Sequence, residues 1–460
     1  MALLAAPLLA LLSACATPSV KARTNEASAA LPVLAASGAL SEVRSDRLID
    51  SRLNAGAKKG AIDNADHVRE LIDEFRKQAD APLVAGNKIT LLIDGPQTLA
   101  AIREAITRAR HHVHVETYIF GDDEVGREFR ELLIARRRAG VEVRVLYDAI
   151  GSVTTPGAFF DAMREAGIEV YAFRPLNPVR TPLTWKLNNR DHRKIVVVDG
   201  RIAFTGGINI SSTYASSSRS RPGPQTGREE GWRDTHVEIE GPVAMQFQTL
   251  FFSTWTRAGG QVPKDSQSYF PTIAPVGGEL VAAVASDSDD ASETAIYATY
   301  LTTIQHATQR IWLTNAYFAP NEEFRMALIE AAQRGVDVRL IVPSFTDSGL
   351  ILHASRASFD ELLSGGVRIY EQRYALLHAK TAVIDTALSM VGSANLDMRS
   401  FLHNNEVNAV IVGSGFAQRL EQTFERDLKD SKEVRLEQWR KRPWLARLKE
   451  MGSSLFGYWL

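Results

Sequence analysis

The chain has 460 residues, of which 45% are apolar and 23% charged, with a formal net charge of −1. That length exceeds one ordinary hydrophobic core, so two domains or two similar halves are expected. The near-zero charge argues against a general nucleic-acid binder, which carries a marked basic excess.

Residues 1–14, MALLAAPLLALLSA, are uncharged and apolar, too short for a membrane span and suited to the core of a secretory signal. Nothing later in the chain is apolar for long enough to cross a bilayer. The single cysteine, Cys15, follows directly. Leu12-Ser13-Ala14-Cys15 resembles the bacterial lipoprotein box, which implies lipidation at Cys15 and a membrane-anchored lipoprotein of the bacterial cell envelope, facing the periplasm. An ordinary leader with an incidental cysteine is the alternative.

Residues 16–63, rich in Ala, Ser and Gly, read as a tether. Val68, Leu71, Ile72 and Phe75 then mark one face of a short helix, so 15–82 is assigned as tether plus helix. A first half is expected over 83–268 and a second over 269–437, because one order of elements occurs twice. In the first, a strand at 88–93 leads to a helix at 99–110, a strand at 113–120, a helix at 128–138 and a strand at 141–147. A third helix and a strand at 168–173 complete it. In the second, the corresponding elements are 297–307, 311–318, 324–334, 336–342 and 367–370. Alternating strands and helices predict an α/β fold with largely parallel sheets, its two halves packed about a pseudo-twofold axis with the active site between them.

Each half then reaches the same motif, H-x-K-x-x-x-x-D, as His192, Lys194 and Asp199 and again as His378, Lys380 and Asp385. On a strand, residues two apart share a face, so each His points with its Lys. Asp199 precedes Gly200, a strong hairpin signal, so a turn-forming role competes equally with a catalytic one for that Asp. A second strand and a loop follow, carrying Asn209 in Gly206-Gly207-Ile208-Asn209 and Asn395 in Gly392-Ser393-Ala394-Asn395. Asp234 and Glu406 are equivalent acidic positions further on.

A pair of His-Lys-Asn sets facing each other suits a phosphodiester. One imidazole attacks phosphorus while the other protonates the leaving alkoxide. Lys194, Lys380, Asn209 and Asn395 would hold the non-bridging oxygens, so no metal or other cofactor is required. Asp234 and Glu406 are suited to orient an imidazole and support its charge. His111, His112 and His114 read as surface or packing residues, while His353 and His403 lie close to second-half motif elements. The first half carries extra loops at 178–189 and 214–231, either gates at the cleft or uninvolved surface. The tail, 438–460, interleaves basic residues with Trp, Leu and Phe, which suits a bilayer interface; a terminal helix packed on the body is the alternative.

The duplicated motif resembles that of the phospholipase D superfamily. Three segments carry a closer similarity to bacterial cardiolipin synthases: Asn189 to Gly200, Asn315-Ala316-Tyr317-Phe318-Ala319-Pro320, and Gly392-Ser393-Ala394-Asn395-Leu396-Asp397-Met398-Arg399-Ser400-Phe401. The resemblance implies a phosphatidyltransferase that acts on phosphatidylglycerol at a membrane surface through a phosphohistidine. His192 would be the nucleophile and His378 the acid and then the base, with the reverse allowed by the pseudo-symmetry. A hydrolase releasing phosphatidic acid shares the same motifs; a nuclease and an inactive lipid-binding lipoprotein are further alternatives. The sequence departs from the family in its lipoprotein-like leader, where many members begin with two membrane spans, and in His403, where members often carry a large apolar residue.

Overall fold

The computed structural model describes residues 65–79, 81–175, 188–218, 231–263, 266–289, 294–346 and 348–454. The leader, Cys15 and the tether lie outside them, as do most of both extra loops and residues 455–460 of the tail.

The first half contributes β1 (Val84–Ile93), β2 (His112–Thr117), β3 (Glu142–Asp148), β4 (Glu169–Phe173), β5 (Ile195–Val198), β6 (Ile202–Gly206) and β7 (Thr235–Glu240). The second contributes β8 (Glu279–Ser286), β9 (Arg310–Asn315), β10 (Asp337–Pro343), β11 (Arg368–Gln372), β12 (Lys380–Ile384), β13 (Leu388–Gly392), β14 (Asn404–Val412) and an added edge strand, β15 (Ser431–Val434). The sheet order is β15-β11-β10-β9-β12-β13-β14-β8-β1-β7-β6-β5-β2-β3-β4. Read outward from the β8–β1 junction, both halves have the same order, and the duplication in sequence is therefore a duplication of topology.

The sheet is mixed rather than largely parallel. β2, β3 and β4 run parallel, as do β9, β10 and β11, because helices connect them. The motif strands β5 and β12 instead return through tight hairpins and pair antiparallel on both sides. Asp199 and Gly200, and likewise Asp385 and Thr386, all have positive φ, the backbone that a two-residue hairpin turn demands.

Helices Ala244–Arg257 and Ser414–Lys429 close a core shared by the halves, in which Phe247, Phe416 and Leu420 meet Val197, Val237, Val383 and Val407. The helix Ala65–Gln78 belongs to the body rather than the tether. Its Val68, Leu71, Ile72 and Phe75 are buried in the second half's core beside Tyr300 and Ile304. Each such side chain contributes about 1.5–3 kcal/mol of burial, enough to hold fourteen residues in place. Among the described residues no helix is long and apolar enough to cross a membrane.

Candidate active site

Each motif histidine is held by the opposite half. The short strand Arg190–Asp191 pairs in parallel with Asn404-Asn405 at the start of β14. The backbone N–H of His192 extends this ladder by donating to the carbonyl of Asn405 at 3.0 Å. In the mirrored position, Leu376–Leu377 pairs with Trp232–Arg233, and the N–H of His378 donates to the carbonyl of Arg233 at 2.8 Å. The next residue on each donor half is the carboxylate. His192 Nδ1 therefore meets Glu406 Oε1 at 2.9 Å, and His378 Nδ1 meets Asp234 Oδ2 at 2.8 Å. With a carboxylate on Nδ1, that nitrogen carries the hydrogen, and the lone pair sits on Nε2.

Both carboxylates are themselves fixed. Glu406 accepts from Ser393 Oγ at 2.5 Å and from Asn404 Nδ2 at 3.2 Å. Asp234 accepts from the N–H of Thr235 at 2.7 Å. Gly207 is required beside it, since a Cβ there would lie 2.1 Å from Asp234 Oδ1. Lys194 Nζ and Lys380 Nζ each donate to the carbonyl of the histidine two residues before, which curls both ammonium groups back toward the rings.

The site is nearly closed, with the His192 side chain 13% exposed and that of His378 7%. Burial and then Lys380 hold the His378 imidazole below its ordinary value, against the pull of Asp234. Burial lowers His192 to about 4, so it is a neutral imidazole at physiological pH. Burial, assisted by Lys380, also brings Lys194 down to about 7. Burial alone would raise Glu406 and Asp234, but the adjacent imidazoles and lysines outweigh it and keep both ionised. Lys380 acts on His192 and Lys194 acts on His378, so the two sets share one electrostatic site.

The walls differ between the halves. Tyr118 stands edge-on to His192 at 5.0 Å, with Lys194 Nζ 5.4 Å from the center of its ring. Tyr214 and Trp232 crowd His378 at 5.5 and 5.3 Å. Where the first half puts Trp232, the second has Asn404.

Several expected residues take other roles. Asp199 and Asp385 sit at the far ends of their strands, roughly 16 Å of chain from the lysines at about 3.3 Å per residue. Asp199 accepts from the N–H groups of Arg110, His111 and His112 at 2.7–2.9 Å. Asp385 does the same for Thr308, Gln309 and Arg310. Both carboxylates therefore bind backbone N–H groups beside the turns, and neither reaches the imidazoles. Asn209 is committed to bracing, since its Oδ1 accepts from the N–H of Ile119 and its Nδ2 donates to the Tyr214 hydroxyl. Asn395 Oδ1 is buried without a hydrogen-bond partner among the described residues. His112 and His114 are buried beneath the sheet, bonded to Gln248. His353 lies half-buried on the helix Gly349–Ala357, and His403 accepts from the N–H of Arg190 through its backbone carbonyl.

Sequence reasoning missed the buried ion pairs that fix the two crossings. Arg190 forks onto Asp148, which also receives the N–H of Asp191. Arg233 forks onto Asp427 of the second half at 2.8 and 2.7 Å. Arg190 lies beside the first motif, and Arg233 beside Asp234, which was the available signal.

Two buried imidazoles with oriented tautomers, flanked by two lysines, make a phosphodiester-transfer site, and with the duplicated topology they define a phospholipase D-type phosphatidyltransferase. Residues 102–219 and 300–428 match the family described as "Cardiolipin synthase, PLD-like domain". The chain is 34% identical over 390 residues to a cardiolipin synthase of Halalkalibacterium halodurans, covering 85% of this chain and 75% of that one. It is 38% identical over 363 residues to cardiolipin synthase 2 of Bacillus anthracis, covering 78% and 68%. In fold it is similar to the phosphatidylserine synthase of Haemophilus influenzae Rd KW20, with a TM-score of 0.65 at 14% identity over 85% of this chain and 100% of that one. The chain belongs to the cardiolipin synthase family of phospholipase D-like proteins.

Proposed function

We propose that the enzyme joins two phosphatidylglycerol molecules into cardiolipin and glycerol at the surface of a bacterial envelope membrane, held there by lipid on Cys15 and facing the periplasm. Nε2 of one imidazole attacks phosphorus, forming a phosphorus–nitrogen bond as the bond to the headgroup glycerol breaks. The other imidazole, protonated once the anionic phosphodiester binds, gives its proton to the departing glycerol. The hydroxyl of a second phosphatidylglycerol then returns a proton to that imidazole and attacks phosphorus, releasing the histidine. Lys194 and Lys380 carry the charge that builds on the non-bridging oxygens.

The observation that carries this reading over hydrolysis is the enclosure of the rings by Tyr118, Tyr214 and Trp232, which limits water at the intermediate. The test is incubation of purified protein with phosphatidylglycerol vesicles, followed by lipid analysis. Cardiolipin with an equal yield of glycerol is expected. Phosphatidic acid as the main product would replace transfer by hydrolysis, and unchanged lipid would remove phosphatidylglycerol as substrate. For the anchor, mass analysis of the mature protein from bacterial membranes is expected to find a diacylated Cys15, and an unmodified Cys15 would overturn it.

A further inference from the structure

The terminal helix, Trp444–Ser454, turns an apolar stripe outward, unlike an ordinary surface helix. Glu450 and Ser453 face inward at 4% and 6% exposure, whereas Trp444, Leu448 and Met451 face outward at 67%, 46% and 62%. Positions 444, 448 and 451 follow the i, i+4, i+7 spacing of one stripe. The inward Glu450 is satisfied by Arg442, which lies in the turn just before the helix. Arg447 flanks the apolar stripe, Lys449 on the helix and Lys441 just before it are exposed, and the helix's one acid, Glu450, is buried. Beside Met451 a hollow of about 550 Å³ is lined by Arg440, Arg442 and Arg447 with Asp360 and Glu450, three cations against two anions.

The position of this helix matters as much as its composition. It packs on the helix Gly349–Ala357, which packs on Phe318–Ala319. That strand pairs with Leu396–Asp397, immediately after Asn395. Further exposed apolar side chains, Val153, Leu350 and Tyr374, follow the C-terminal ends of β3, β10 and β11. Thr117 and Asn315, which end β2 and β9, lie on this same edge beside the loops of the two motifs.

We propose that the outward face of Trp444–Ser454, continued by Leu350, is the surface by which the enzyme docks on an anionic phospholipid bilayer. Trp444, Leu448 and Met451 enter the interface, and Arg447 and Lys449 meet lipid phosphates. This face connects to the motif edge of the sheet through the helix Gly349–Ala357 and the strand Phe318–Ala319. The proposal rests on the lipid substrate proposed above, and its test separates the two.

The full chain and the triple variant Trp444→Ser/Leu448→Ser/Met451→Ser are compared on phosphatidylglycerol vesicles and on a short-chain phosphatidylglycerol below its micelle concentration. Expected is at least a tenfold rise in the vesicle concentration giving half-maximal rate, with turnover of the monomeric lipid kept within about twofold. Weaker sedimentation with phosphatidylglycerol vesicles, steepened by salt, accompanies it, and phosphatidylcholine vesicles bind less. Unchanged vesicle dependence and sedimentation would overturn the docking face. So would a lipid-free dimer of the full chain that the triple variant dissociates, because the face would then bind a second copy. If the full chain turns over neither lipid, the substrate reading fails while vesicle sedimentation still decides the docking face.

Discussion

Nδ1 of His192 lies 2.9 Å from Oε1 of Glu406, a partner 214 residues further along the chain and in the other half of the molecule. The reciprocal bond, His378 to Asp234 at 2.8 Å, spans 144 residues in the opposite direction. Neither half therefore holds a complete, oriented histidine by itself. The duplicated unit forms this site only when two copies come together and pair these short strands.

The crossed carboxylates are positioning groups with a measurable signature. Glu406→Gln and Asp234→Asn keep the shape but allow the wrong tautomer, and each is expected to lower kcat about 100-fold or more with little change in melting temperature. Wild-type kcat in either variant would show that the imidazoles are oriented without them.

Asp199 and Asp385 behave oppositely. Each accepts three backbone N–H groups at a hairpin, so Asp199→Ala is expected to cost about 2–4 kcal/mol in stability while the folded fraction retains kcat. Denaturant unfolding alongside turnover at low temperature checks this. A loss of kcat at unchanged stability would restore a catalytic role.

The buried pairs that lock the crossings are predicted to be costly to break from one side. Asp427→Ala removes both forked bonds of the buried Arg233, which keeps Asp94 at 3.7 Å, and is expected to destabilise the fold by about 1–3 kcal/mol. Thermal unfolding measures it, and a change below about 1 kcal/mol would mean the pair is solvated.

The titration of the site sets a pH window. With His192 as the nucleophile, its imidazole, lowered to about 4 chiefly by burial, must be unprotonated to attack, so kcat/KM rises as pH climbs through that value. Lys194, lowered to about 7 by burial and Lys380, must be protonated to hold phosphate, so kcat/KM falls as pH rises through it. A bell-shaped kcat/KM profile between these limits is expected for phosphatidylglycerol, and an unchanged value up to about pH 9 would remove the lysine limb.

Periodicity in the sequence located most helices and strands, and the repeat identified both motifs, because those signals are local. Thr117 and Phe318 show the limits at strand ends: β2 stops at Thr117, and Phe318 belongs to a separate two-residue strand. The antiparallel return of β5 and β12 was signalled at Asp199-Gly200, but a two-residue turn carries less weight in a pattern than three helices. Asp199 was ambiguous because a hairpin turn and a catalytic carboxylate call for the same residue type. The assignment of Glu406 to His192, rather than to its own half's His378, has no local signature at all. It depends on Arg190–Asp191 pairing with Asn404-Asn405, a contact between segments more than 200 residues apart.

The most direct test is turnover of phosphatidylglycerol by His192→Ala and His378→Ala, each verified as folded by its melting curve. Both are expected to lose transfer entirely, because one ring must attack phosphorus while the other moves the proton. Sustained transfer by either variant would contradict a single site shared by two imidazoles.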